Sequence, residues 1–220
     1  MVKQYFFAQI IIYLLGMLIL AFGVSFSIYS NLGTSPVNSL PFVVSIISGI
    51  NFGTSLTIFF IVCIFLQFIL LRKNFKLINI AQILMAFLFG YLANFALFIM
   101  EDFMIPTYLG QLLKMFISIF LISFGLAFYL EAKLISLPAE GLVIAILHKF
   151  PNSTFHKIKI ITDIFIVLSA IIFSLLFLGN MYGVREGTIL SAFLIGKFMP
   201  FNKKIVEFLL NKCGFYAINK

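Results

Sequence analysis

The chain has 220 residues, of which 63% are hydrophobic and only 10% charged, with 30 Phe and no Trp. No soluble domain of this size hides so much apolar surface, so the solvent is a lipid bilayer. The formal net charge of +8 would suit nucleic acid, but the placement of the basic residues, given below, excludes that partner.

A membrane-spanning helix needs about 20 apolar residues. The first run, 5–29, is too long for the core of a signal peptide and has no small-residue cleavage site after it, so it reads as a retained first span. Residues 31–40, NLGTSPVNSL, then break the pattern with a polar turn, and a short apolar stretch follows at 37–50. Spans are expected at 55–71, 77–100 and 111–130. A second polar turn at 136–141 opens another short stretch, 138–147, before spans at 157–178 and, shorter, 187–200. The short alternating segments of a β-barrel are absent. The expected fold class is an all-α polytopic membrane protein of six transmembrane helices, a single membrane domain over residues 1–220. Residues 201–220 form its tail, in which IVEFLLNK (205–212) has the pattern of an amphipathic helix on the inner membrane surface. The short stretches at 37–50 and 138–147 can re-enter the membrane, cross it or lie on it.

If neither short stretch crosses, all of the 15 Lys and Arg residues except Lys114 and Arg185 fall on one side. That asymmetry places both termini in the cytoplasm. The basic balance therefore sets topology, with anionic lipid headgroups as a secondary partner. Neither Cys63, inside a span, nor Cys213, in the tail, has ligand-like neighbours, so no disulfide or metal site is expected.

The two polar turns are related. AFGVSFSIYSNLGTSPVNSL (21–40) aligns without a gap on SFGLAFYLEAKLISLPAEGL (123–142), matching Phe22-Gly23 with Phe124-Gly125, Pro36 with Pro138 and Leu40 with Leu142. After a small insertion, NIAQILMAFLFG (79–90) aligns on REGTILSAFLIG (185–196). The chain reads as two repeats, about 5–100 and 111–200. Three spans in each repeat invert the second copy, an arrangement common in secondary transporters, whose binding sites lie at matched interruptions of the two halves.

Backbone outside a helix cannot face lipid. The Gly33-Thr34-Ser35-Pro36 turn therefore opens a half-helix beside a cavity, or caps a helix lying flat at the interface. Ser35 suits the N-cap and Pro36 the first helical position. Free N–H groups at such a start favour an anion. Gly33, Thr34, Ser35 and Asn38 are candidate binding residues in the first copy, and Ser136 and Glu140 in the second. The repeat mates Gln82 and Thr188 are candidates along the central path. Arg185 stands at the outer mouth of the last span, either attracting an anionic solute or pairing with Glu186. Glu140 and Asp163 are the candidates for carrying a proton or cation. Asp163 lies about 9 Å deeper than Lys157 at helical rise, and Lys159, four residues before it, is an alternative ion-pair partner. Gly16, Gly23, Gly90, Gly125 and Gly196 permit close helix packing.

Gly33-Thr34-Ser35-Pro36 after the first span, and Gly187-Thr188-Ile189-Leu190 opening the last, resemble the YczE/YyaS/YitT-like bacterial membrane proteins. In that group a GxGTSP stretch and a late GxGT stretch recur, and this chain lacks the first glycine of each. The resemblance spans nearly the whole chain. It implies a bacterial plasma-membrane protein with a transport-like role and supplies no catalytic residues. A more distant likeness, in size and span number, is to the six-helix substrate-binding components of ATPase-driven vitamin transporters.

No nucleophile–base set, phosphate loop, metal motif or haem site is present, so neither an enzyme nor a cofactor is expected. The function expected is a secondary transporter or permease for a small solute, anionic or zwitterionic at the half-helix starts. The alternatives are the binding component of an ATPase-driven uptake system and a non-transport accessory or signalling protein. The expected partners are the bilayer, the solute, and either a second copy or a partner membrane subunit.

Overall fold

The structure, a computed structural model, describes residues 2–103, 105–212 and 215. Cys213 lies outside the described residues, as do Met1, Met104 and most of the segment after Lys212. The described residues form eight α-helices and no strand: α1 (Val2–Tyr29), α2 (Pro36–Ser48), α3 (Phe52–Leu71), α4 (Leu77–Met100), α5 (Tyr108–Glu131), α6 (Pro138–Lys149), α7 (Phe155–Leu178) and α8 (Glu186–Lys212), with a 3-10 turn at Arg72–Asn74. Five of them, α1, α3, α4, α5 and α7, are long and apolar enough to cross a membrane.

Local chemistry sets the boundaries. Pro36 and Pro138 each begin a short helix, where the missing N–H is harmless and the fixed φ is helical. Ser35 holds the N-cap position of α2, but its hydroxyl accepts from the Asn38 side chain (2.7 Å) rather than from a backbone N–H. The N-cap of α6 is Leu137, directly before Pro138, and it makes no side-chain cap hydrogen bond. Thr107 and Thr154 cap α5 and α7 by accepting from Gly110 N (3.2 Å) and Lys157 N (3.4 Å). Gly49 and Gly179 end α2 and α7 in the left-handed conformation.

α1 and α5 form the central pair. Three glycines let them approach backbone to backbone. A Cβ added at Gly16 would meet Tyr129 N at 2.5 Å, at Gly23 Ile122 N at 2.7 Å, and at Gly125 Leu20 N at 2.5 Å. The remaining contacts come in matched pairs. α1 packs on α4 as α5 packs on α8, and α2 packs on α7 as α3 packs on α6. One match fails. α3 and α4 are tightly packed, with a Cβ at Gly90 directed into Thr57 Oγ1 and onto Gly53 O (2.5 Å), whereas α7 and α8 form no packed pair. Gly196, expected at a close helix contact, has nothing within 4 Å of an added Cβ. The gap beside it is the reason: there is no neighbouring helix to approach.

The main hydrophobic cluster joins α1, α3, α4 and α5 to the end of α8. α8 runs unbroken through Pro200 to Lys212, so residues 201–212 are not a separate surface helix. Val206 and Leu210 are buried in the main cluster instead of facing a membrane surface. Lys203 on the same segment reaches Glu131 at the end of α5 (3.4 Å).

Candidate functional site

The starts of α2 and α6 meet across a cavity of about 410 Å³. Its walls are largely apolar, with Phe60, Phe89 and Ile122 among them. Ser35 and Asn38 enter it from α2, Ser136 and Glu140 from the start of α6, Lys159 and Asp163 from α7, and Ser191 from α8. The cavity opens between α7 and α8, where Phe155, His156 and Ile160 face Ala192 and Gly196 across the gap, all of them exposed.

The charges in the cavity are unequally matched. Lys159 Nζ donates to Asp163 Oδ1 at 3.2 Å, and this i, i+4 pair neutralises itself. Ser35 and Asn38 satisfy each other. Glu140 stands in the first turn of α6, where the helix dipole favours a carboxylate. Its Oε2 is buried and has no hydrogen-bond partner. The Tyr129 hydroxyl, also buried, is the neighbour of the same carboxylate and interacts with it. Burial of an unpaired polar atom costs about 1–3 kcal/mol, so the acid is held here against its own solvation preference.

Two polar seals flank the cavity. At one end the 30–35 turn is clamped by the 183–188 segment. Thr34 N and Oγ1 both donate to Gly183 O (2.9 and 3.2 Å), Gly187 N donates to Leu32 O (2.8 Å), and Arg185 Nη1 donates to Asn31 O (2.8 Å). Gly33 has φ +97, and an added Cβ would lie 2.5 Å from Thr188 Oγ1 and 2.6 Å from Arg185 N. At the opposite end Gln67 of α3 donates to Gln82 Oε1 (2.9 Å) and to Pro138 O (3.1 Å). Tyr13 Oη of α1 donates to Ile135 O at 2.7 Å.

The candidate residues thus fall into three groups. Ser35, Asn38, Ser136, Glu140 and Asp163 line the cavity. Gly33, Thr34, Thr188 and Arg185 lie in the first seal, and Arg185 also pairs with Glu186 at 3.1 Å. Gln82 lies in the second seal, accepting from Gln67. Sequence reasoning passed over Gln67, although an amide inside an otherwise apolar span is a signal in itself. It also missed Tyr129 and Ser191. Lys114, placed among the outer basic residues, is 1% exposed. Its Nζ donates to Tyr29 O (3.2 Å) and lies 5.7 Å from the Phe103 ring centroid. Among the described residues no three His, Cys, Asp or Glu side chains gather as metal ligands would.

A helical protein of membrane type, with a part-apolar cavity at the starts of two short helices, is the class this arrangement defines. Residues 7–204 match the family described as "Family of unknown function (DUF6198)", and the chain belongs to that family. It is 28% identical over 189 residues to the uncharacterized protein YyaS of Bacillus subtilis (strain 168), an alignment covering 86% of this chain and 90% of that one. No solved structure matches the chain significantly.

Proposed function

We propose that the protein is a permease of the secondary-transporter kind, carrying a small solute by way of the cavity between α2 and α6 and catalysing no reaction. The observation that carries this reading is the convergence of Ser35 and Asn38, from one half of the chain, with Ser136 and Glu140, from the other, on one cavity. The matched helix contacts support an inverted repeat, with α1–α4 answering α5–α8 and α2–α7 answering α3–α6. In this reading α8 is the sixth span, and the Gly33 seal faces outward. The basic end, with both termini, faces the cytoplasm of a bacterial plasma membrane. The unmatched contact supplies the conformational coordinate. With α3–α4 packed and α7–α8 parted, the cavity opens on one flank, and exchanging the two seams opens the other.

Single cysteines at Thr34 and Ser136, in a background lacking Cys63 and Cys213, test the proposal in inside-out and right-side-out vesicles. The expected outcome is labelling of the two positions from opposite sides, with a transported solute slowing both. Labelling of both from one side would sink the inverted arrangement. Failure of any solute to exchange in proteoliposomes would sink the permease reading.

A further inference from the structure

We infer that the cavity takes a lipophilic monovalent cation, its charge against the Glu140 carboxylate and its apolar body against Phe60, Phe89 and Ile122. The inference rests on reading this cavity as the solute site. Three observations choose the occupant. Charge comes first. Of the acids lining the cavity, Asp163 is ion-paired with Lys159 at 3.2 Å, whereas Glu140, on which the same ammonium acts from farther away, has no ion pair of its own, so two carboxylates share one ammonium. The charge this space lacks is positive and single. Donor supply comes second. The anion-binding capacity expected at the start of α2 is already spent, because Asn38 Nδ2 donates to Ser35 Oγ (2.7 Å) and Asn38 N to Ser35 O (2.9 Å). An anion would meet few free donors there and an unpaired carboxylate opposite. This replaces the anionic solute expected from the half-helix starts alone. The walls come third. A strongly hydrated ion would lose its water among aromatic and aliphatic side chains with little to replace it, whereas a cation with its charge spread over an apolar body keeps the dispersion contacts and gains the ion pair. The opening between α7 and α8 fits the same chemistry, since its rim of Phe155, Ile160 and Ala192 admits a molecule already dissolved in the bilayer.

The test is equilibrium binding of radiolabelled tetraphenylphosphonium to purified full-length protein, with tetraphenylborate as an anion of the same shape. Saturable binding of the phosphonium, not displaced by the borate, is expected. Glu140→Gln keeps the side-chain shape and removes the charge. It should weaken binding by about 30-fold or more, the loss typical of removing one partner of a desolvated charge pair. Gly196→Phe is the second variant. It places a ring at the mouth, at a position where an added Cβ meets nothing within 4 Å, and it should also abolish binding; its melting curve, compared with that of the parent, shows that it folds. Unchanged affinity in both folded variants overturns the inference, and so does equal or tighter binding of tetraphenylborate. If Glu140→Gln does not fold, the Gly196→Phe result decides alone. Phosphonium binding without exchange in proteoliposomes leaves the cation site standing and removes the permease reading. Exchange of an anion with no phosphonium binding does the reverse.

Discussion

Replacing Gly90 and Gly196 each by Ala gives the sharpest test of the parted seam. The two glycines end nearly identical blocks, AFLFG and AFLIG, and both sit inside α-helices. Intrinsic propensity therefore treats them alike, with Gly→Ala favourable by up to about 1 kcal/mol in each case. Packing does not. At Gly90 the new methyl would be driven into Thr57 Oγ1 and to 2.5 Å from Gly53 O. Neither neighbour yields easily, because Thr57 Oγ1 donates to Gly53 O (2.8 Å) and Gly53 N to Asn94 Oδ1 (2.7 Å). Overpacking of this kind costs about 1–3 kcal/mol. At Gly196 the methyl meets open space. The common propensity gain cancels, so the two variants should differ by about 1–3 kcal/mol, with Gly90→Ala below the parent and Gly196→Ala at or slightly above it. At about 2–4 °C per kcal/mol for a chain of this size, the melting temperatures should separate by about 2–12 °C. Loss of helical circular dichroism on heating in detergent measures both. Equal destabilisation by the two substitutions would refute the reasoning, because it would mean that α7 packs on α8 as closely as α3 packs on α4.

The seals and the core give three further expectations. Gly33→Ala combines φ +97 with a Cβ crowded by Thr188 Oγ1. It should lower stability by about 1–3 kcal/mol and raise cysteine labelling at Thr34. A wild-type melting curve would show the 183–188 clamp to be looser than drawn. Gln67→Leu removes both the bond to Gln82 and the bond to Pro138 O. It should cost about 1–3 kcal/mol, with part of the loss recovered on adding Gln82→Leu. Strict additivity in that cycle would show the two amides to be independent. Cys63 is buried in α3, so in a Cys213→Ser protein it should resist maleimide until the melting transition. Rapid labelling of folded protein would contradict that burial.

The spans were legible because the bilayer demands long apolar runs, and the five long apolar helices fall close to the runs expected. The short helices were legible from Pro36 and Pro138, and the alignment of the two turns paired them while leaving open whether they share a cavity. Which polar residue faces the cavity was not legible. Gln82 and Thr188 are repeat mates on equivalent helices, yet each turns to a seal, because a loop carbonyl or an amide from another helix lies within bonding reach. The Gln82 partner comes from another helix, and the Thr188 partner from the turn just before α8, whose folding over the 30–35 segment no hydropathy pattern announces. Lys114 shows the same limit. Its burial depends on the carbonyl of Tyr29 and the ring of Phe103, neither of which its neighbours in sequence announce. The end of α8 was misread because IVEFLLNK is amphipathic whichever apolar surface it covers, and here that surface is protein.

Pro200 gives α8 an elbow. Proline has no N–H to offer, so the carbonyl of Gly196, one turn earlier, loses its helical donor. The next carbonyl back, Ile195 O, accepts from Ser123 Oγ on α5 at 3.4 Å. A glycine and a carbonyl without its usual helical donor thus fall together at the level where α8 borders the cavity mouth. Below the elbow the helix is anchored by Val206, Leu210 and the Lys203–Glu131 pair. Above it, Gly187 and Thr188 are tied to the 30–35 turn and its clamp. α4, the matching helix, contains no proline. The bending stiffness of the two halves is therefore unequal, and the joint lies in the half whose seam stands open.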